Sequence, residues 1–80
     1  MDAVYERVRA VVAGTFQLAP EDVTRESSPK TVEAWDSMGH LTLVLELEQE
    51  FGVQLAPEDV ERMTSVGTIA AIVHARAEAA

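Results

Sequence analysis

The chain has 80 residues, a mass of 8.7 kDa, no cysteine and a formal net charge of −8. That length admits one domain, residues 1–80, with a thin core, and the lack of cysteine excludes disulfide bracing and a zinc–cysteine cluster. The acidic balance argues against nucleic acid and against an anionic membrane surface as ligands.

The charge is concentrated. No Lys or Arg occurs between Lys30 and Arg62, while that interval holds Glu33, Asp36, Glu46, Glu48, Glu50, Glu58, Asp59 and Glu61. Acids and bases balance in the rest of the chain, so the whole net charge lies in the middle. The bland reading is a solvated face; confinement to one window predicts instead a surface that meets a basic partner. The longest unbroken apolar run, Ile69 to Val73, is too short to span a bilayer, and Met1 to Arg7 is too charged for a secretory signal. A cytoplasmic monomer is expected.

Val4, Val8, Val11 and Val12 stand at helical spacing and predict a first helix over 3–13, stopped by Gly14. A long connection follows from Thr15 to Trp35, with a polar centre at Arg25–Thr31 that reads as loop. A second helix is predicted over Ser37–Phe51, ended by Gly52. Its apolar residues form two sets: Leu43, Val44, Leu47 and Phe51 on one side, Met38, Leu41 and Leu45 on another. A surface helix needs only one such stripe. The second set either packs under the long loop or meets a partner.

Residues 57–63 predict a short helical turn with Pro57 at its first position and Glu58 and Asp59 in its first turn, where the dipole favours acids. A last helix starts after Thr64 or Ser65, buries Val66, Ile69, Ile72 and Val73, and is expected to fray along its alanine-rich end from Ala75. The heptapeptide Gln-Leu-Ala-Pro-Glu-Asp-Val occurs at Gln17–Val23 and again at Gln54–Val60. Two copies do not make a solenoid; they are one local device, an anchoring apolar residue followed by a proline-led turn. No strand-like alternation appears. The predicted fold is all-α, a small four-helix bundle of three longer helices and one short helix with a long first loop.

Catalytic patterns are scarce. His40 and His74 are too few for a zinc site, so no metal is expected, and neither a phosphate-binding glycine loop nor a nucleophile elbow is present. A bundle this small rarely encloses a water-excluding pocket, so the chain is not expected to be an enzyme. Trp35 reads as a packing residue at the entry to the second helix, Gly39 as a tolerated glycine, and His40 as packed or half-exposed.

The remaining signal is Trp35-Asp36-Ser37-Met38 at the head of the second helix. Together with Leu41, Leu43-Val44, Leu47-Glu48, Glu50-Phe51 and Thr64-Ser65-Val66, it resembles the acyl carrier proteins, helical bundles that bear phosphopantetheine. The family's attachment motif is Asp-Ser-Leu; this chain has Asp36-Ser37-Met38. The resemblance implies that Ser37 is esterified by 4′-phosphopantetheine, taken from coenzyme A by a separate phosphopantetheinyl transferase. Acyl groups would then ride on its thiol as thioesters to enzymes of fatty-acid, polyketide or related biosynthesis. A serine in the first turn of a helix suits a phosphodiester, because unpaired N–H groups and the dipole favour an anion there. Asp36 as N-cap would leave Ser37 at the first helical position with its hydroxyl outward.

By position, the surface for basic partner patches would comprise Asp36, Met38, Leu41, Leu45, Glu46 and Glu48, with Glu58, Asp59 and Glu61 on the neighbouring turn. Thr42 stands where the family often has an acid, and Glu46 where a small residue is common. The family also implies a core that can part around an acyl chain, with Leu43, Leu47, Val60 and Ile69 as liners. Peptidyl carriers usually show Gly-Gly-x-Ser, so Ala34-Trp35-Asp36-Ser37 favours the acyl type, with carriage of amino or hydroxy acids as the alternative. A stand-alone carrier is expected from a start at Met1 and an end just past the last helix, the alternative being a domain excised from a synthase. The rival from another class is an unmodified acidic adaptor that binds a basic partner.

Overall fold

The computed structural model describes residues 3–79. In chain order it contains α1 (Ala3–Phe16), a short 3-10 turn (Pro20–Asp22), α2 (Ser37–Phe51), α3 (Pro57–Arg62) and α4 (Val66–Ala79). Among the described residues there is no strand, and no helix is long and apolar enough to cross a membrane.

The valines at helical spacing give α1 its buried face. Val8 and Val12 are wholly buried, Val4 and Val11 pack at the margin of the core, and Ala13 and Phe16 extend the same stripe. The helix therefore runs past Gly14, contrary to the expected stop there. It ends at Gln17, which adopts the left-handed region at φ 57°, while the Leu18 N–H returns to the Ala13 carbonyl at 2.9 Å. That closure satisfies a carbonyl the helix would otherwise leave unpaired. The same closure ends α2, where Gly52 supplies φ 64° and the Val53 N–H reaches the Glu48 carbonyl.

The long connection between α1 and α2 is built into the core. Val23, Val32 and Trp35 are buried along it. Arg9 of α1 holds its start, donating from Nε to the carbonyls of Pro20 (2.8 Å) and Val23 (3.1 Å). Its middle caps α4: the carbonyls of Ser27 and Arg25 accept the N–H groups of Val66 and Gly67, each at 2.9 Å. Four orphan donors at a helix start need partners, and here a loop distant in sequence supplies two of them.

Ser65, not Thr64, acts as the side-chain cap of α4, with its Oγ accepting from the Thr68 N–H at 3.3 Å. The alanine-rich end is helical to Ala79, and Ala80 lies outside the described residues. Arg76, in that last stretch, reaches α3 and clamps the Asp59 carboxylate from Nε (2.8 Å) and Nη2 (2.9 Å). Leu43 and Leu47 of α2 meet Val8 and Val12 of α1 and Val66, Ile69 and Val73 of α4 in one core, with α3 lying across its edge.

Candidate functional site

The head of α2 is shaped from both sides. Before it, Trp35 is only 2% exposed and stacks on Phe16, with ring centroids 5.4 Å apart, so the chain enters α2 from a fixed point in the core. Asp36 then takes the cap: its Oδ1 accepts the Gly39 N–H at 2.8 Å, and its carbonyl accepts the first helical bond, from His40, at 2.8 Å. Ser37 and Met38 follow with N–H groups that have no partner within the helix. Ser37 is exposed, and among the described residues its hydroxyl makes no hydrogen bond to the protein.

Gly39 is required here rather than tolerated. A Cβ on it would lie 2.5 Å from the Ala34 carbonyl oxygen and 2.9 Å from Cε1 of Phe16. The glycine lets the first turn of α2 sit down on the loop and on α1, which holds Ser37 in place.

Beside Ser37 lies an open groove of about 1050 Å³. Trp35, His40 and Leu41 form one wall, Val60, Glu61, Met63 and Thr64 the opposite wall, and Ser28, Pro29 and Lys30 close the loop side. Lys30 is the chain's single lysine, set where acids predominate. His40, half-buried, links the two walls. Its Nδ1 accepts from Trp35 Nε1–H at 2.9 Å, and its Nε2 lies 3.1 Å from the Val60 carbonyl oxygen. The residues that family resemblance gives as liners of a core that can part lie in or at the core: Leu43, Leu47 and Ile69 are fully buried, and Val60 packs at the margin and borders the groove.

The second apolar set is exposed and does not pack under the loop. Met38 is 74% exposed, Leu41 57% and Leu45 63%, on one side of α2. Asp36, Glu46, Glu58 and Glu61 are also exposed. Two of the acids expected on this surface are engaged otherwise. Asp59 is 1% exposed: it caps α3 by accepting the Ala56 N–H at 3.0 Å and is held by Arg76, with Arg62 at 3.9 Å. Hydrogen bonds from Arg76 hold its carboxyl below the ordinary aspartate value, against the opposing effect of burial. Glu48 is half-buried and accepts the Leu55 N–H at 2.9 Å, which staples the α2–α3 connection. Position in the sequence puts both on the surface; their partners, Leu55 N–H and Arg76, are invisible to a helical wheel. Thr42 also spends its hydroxyl locally, on the Met38 carbonyl at 3.1 Å.

Comparison with known proteins adds an independent line. A family described as the phosphopantetheine attachment site matches residues 6–73. The chain belongs to this family. It is similar to the acyl carrier protein of Thermosynechococcus vestitus, 37% identical over 51 residues that make up 64% of this chain and 63% of that relative. The match thus spans less than two thirds of the relative's length. In fold it is similar to the holo acyl carrier protein of Geobacter metallireducens, solved in solution, with a TM-score of 0.85, 24% identity, and coverage of 95% of this chain and 87% of that one.

What this family shares is a site at which phosphopantetheine is covalently attached. The head of α2 fits the group. It offers an outward serine hydroxyl, two unpaired N–H groups for a phosphodiester, and a groove whose walls include the apolar Trp35, Leu41, Val60 and Met63.

Proposed function

We propose that Ser37 is the phosphopantetheine attachment residue and that the chain, a monomer in the cytoplasm, carries acyl groups between enzymes of fatty-acid, polyketide or related biosynthesis. The observation that carries the reading is the setting of Ser37: first residue of α2, exposed, capped from behind by Asp36 and at the rim of the groove. In the attachment step Ser37 Oγ bonds to the phosphorus that bears the pantetheine half of coenzyme A. The pyrophosphate P–O bond breaks, adenosine 3′,5′-bisphosphate leaves, and the serine proton passes to a base of the transferase. Once attached, the group supplies the terminal thiol that this cysteine-free chain lacks, and acyl cargo is held there as a thioester.

The chain's own residues orient that chemistry. Asp36 and Gly39 fix the first turn, and the N–H groups of Ser37 and Met38, unpaired within the helix, would be available to the phosphodiester. Met38, Leu41 and Leu45 supply apolar contact to a partner enzyme that comes for the arm. Asp36, Glu46, Glu58 and Glu61 supply the charge that attracts its basic patch. Apolar contacts give affinity, and rim charges set encounter rate and choice of partner.

The test is a mass measurement. Incubated with coenzyme A, magnesium and a broad-specificity phosphopantetheinyl transferase, the protein gains one phosphopantetheinyl group, and Ser37→Ala gains none. An unchanged wild-type mass beside a carrier that the same transferase does modify would overturn the assignment, as would modification of Ser37→Ala.

A further inference from the structure

Holding a prosthetic group on Ser37 does not require the contacts of His40, yet they are the most specific polar link between the two walls of the groove. Trp35 Nε1 can only donate, so His40 Nδ1 accepts and the ring proton sits on Nε2. Nε2–H therefore donates to the Val60 carbonyl. That carbonyl lies in the last turn of α3 and also accepts the Met63 N–H at 3.2 Å.

A helix of six residues has too few internal bonds to hold itself and depends on external ties. Asp59, bound by Arg76, ties the front of α3 to α4. His40 ties its far end to α2. On α2, His40 lies three residues after Ser37, on the same side of the helix. The other end of the link is anchored in α1, because Trp35 is stacked on Phe16 at 5.4 Å and on His40 at 6.2 Å. A continuous row of Phe16, Trp35, His40 and Val60 thus runs from α1 across the head of α2 to α3.

We infer that His40 is a positioning residue: its two hydrogen bonds hold the end of α3 at a set distance from the Ser37 turn and so fix the shape of the groove beside it. The functional meaning of that shape rests on Ser37 as the attachment residue; the link itself does not.

Amide hydrogen exchange of the unmodified protein, read by NMR, tests the inference. In His40→Phe, which keeps a ring but removes both bonds, the Val60 and Met63 amides exchange roughly two- to tenfold faster, the range expected for loss of the one bond that reaches α3. The indole N–H of Trp35, the chain's one tryptophan, is released with them, while the buried amides of α1 and α4 keep wild-type rates. His40→Gln, with an amide N–H in place of Nε2–H, returns Val60 and Met63 to slow exchange. Trp35→Phe, which keeps an aromatic ring against Phe16 but loses the donor to Nδ1, gives a smaller acceleration at the same two amides and serves where the His40→Phe variant does not fold. Unchanged rates at Val60 and Met63, equal acceleration in all helices, or loss that Gln does not recover would each overturn the positioning role. Ser37→Ala keeps these exchange rates while blocking modification, so failure of the attachment reading is a separate result.

Discussion

A methyl group on residue 39 has no room, and a methyl group on residue 14 has nothing to strike. The Cβ of an alanine at 39 would meet the Ala34 carbonyl at 2.5 Å, and a backbone carbonyl cannot swing aside as a flexible side chain can. Gly39→Ala is expected to cost about 1–3 kcal/mol, as overpacking of a tight site does. Gly14 is helical, has ordinary φ and faces open space. Gly14→Ala should therefore stabilise by about 0.5–1 kcal/mol, the usual gain for replacing a helical glycine. Urea unfolding midpoints should move in opposite directions for the two variants; a shift of the same sign in both would contradict the packing described around Gly39. From sequence the two glycines read the other way round, Gly14 as a stop and Gly39 as tolerated. The deciding facts are a carbonyl five residues earlier and a phenylalanine on another helix, neither of which local propensity records.

The twin heptapeptides show the same limit for whole elements. At Gln17–Val23 the segment makes a three-residue 3-10 turn with Asp22 exposed; at Gln54–Val60 it starts a true α-helix with Asp59 buried. The first copy rests against Arg9, which takes its backbone carbonyls, and the second lies within reach of Arg76, which takes its carboxylate. Proline and acids announced a turn in both places, and the tertiary partner determined which kind. Helix positions were legible because valine and leucine spacing is local. The role of the long loop as a cap for α4 was not, because it consists of backbone carbonyls. One consequence is a pH dependence that belongs to the second copy alone. The Asp59 carboxyl has a folded pKa below its unfolded value of about 3.9, so its stabilising contribution is complete above that value. It is lost as pH falls toward and through the lower folded value. Asp59→Asn should lower the unfolding midpoint at pH 7, and the gap from wild type should close as the pH is taken from about 5 toward 2. Asp22→Asn should stay within about 0.5 kcal/mol throughout, as exposed substitutions do. Urea titrations at three pH values separate the two, and a gap that persists at the acid end would refute the ion-pair account.

At the scale of the whole molecule, eight net negative charges on 80 residues and an exposed leucine–methionine stripe would, on the proposed reading, act on different steps of an encounter. The stripe was legible because three large apolar residues on a second face have no reason to exist in a surface helix. The acidic surface was legible only in outline, since Glu48 and Asp59 turn inward while Asp36, Glu46, Glu58 and Glu61 remain outside. Charge effects on encounter decay over a Debye length of about 8 Å at physiological salt, so they fade as ions are added; apolar contact does not. Glu46→Lys should therefore reduce kcat/KM for modification by the transferase at low ionic strength and approach the wild-type value at about 0.5 M salt. Leu41→Ala removes apolar area beside Ser37 and should raise KM roughly fivefold or more at every salt concentration, while leaving the unfolding midpoint within about 0.5 kcal/mol because the side chain is exposed. Modification rates measured across a salt series resolve the two variants. Were the Glu46→Lys deficit constant with salt, or the Leu41→Ala deficit absent, the division of labour between rim charge and apolar stripe would be wrong, and partners would have to approach Ser37 from the α3 side of the groove.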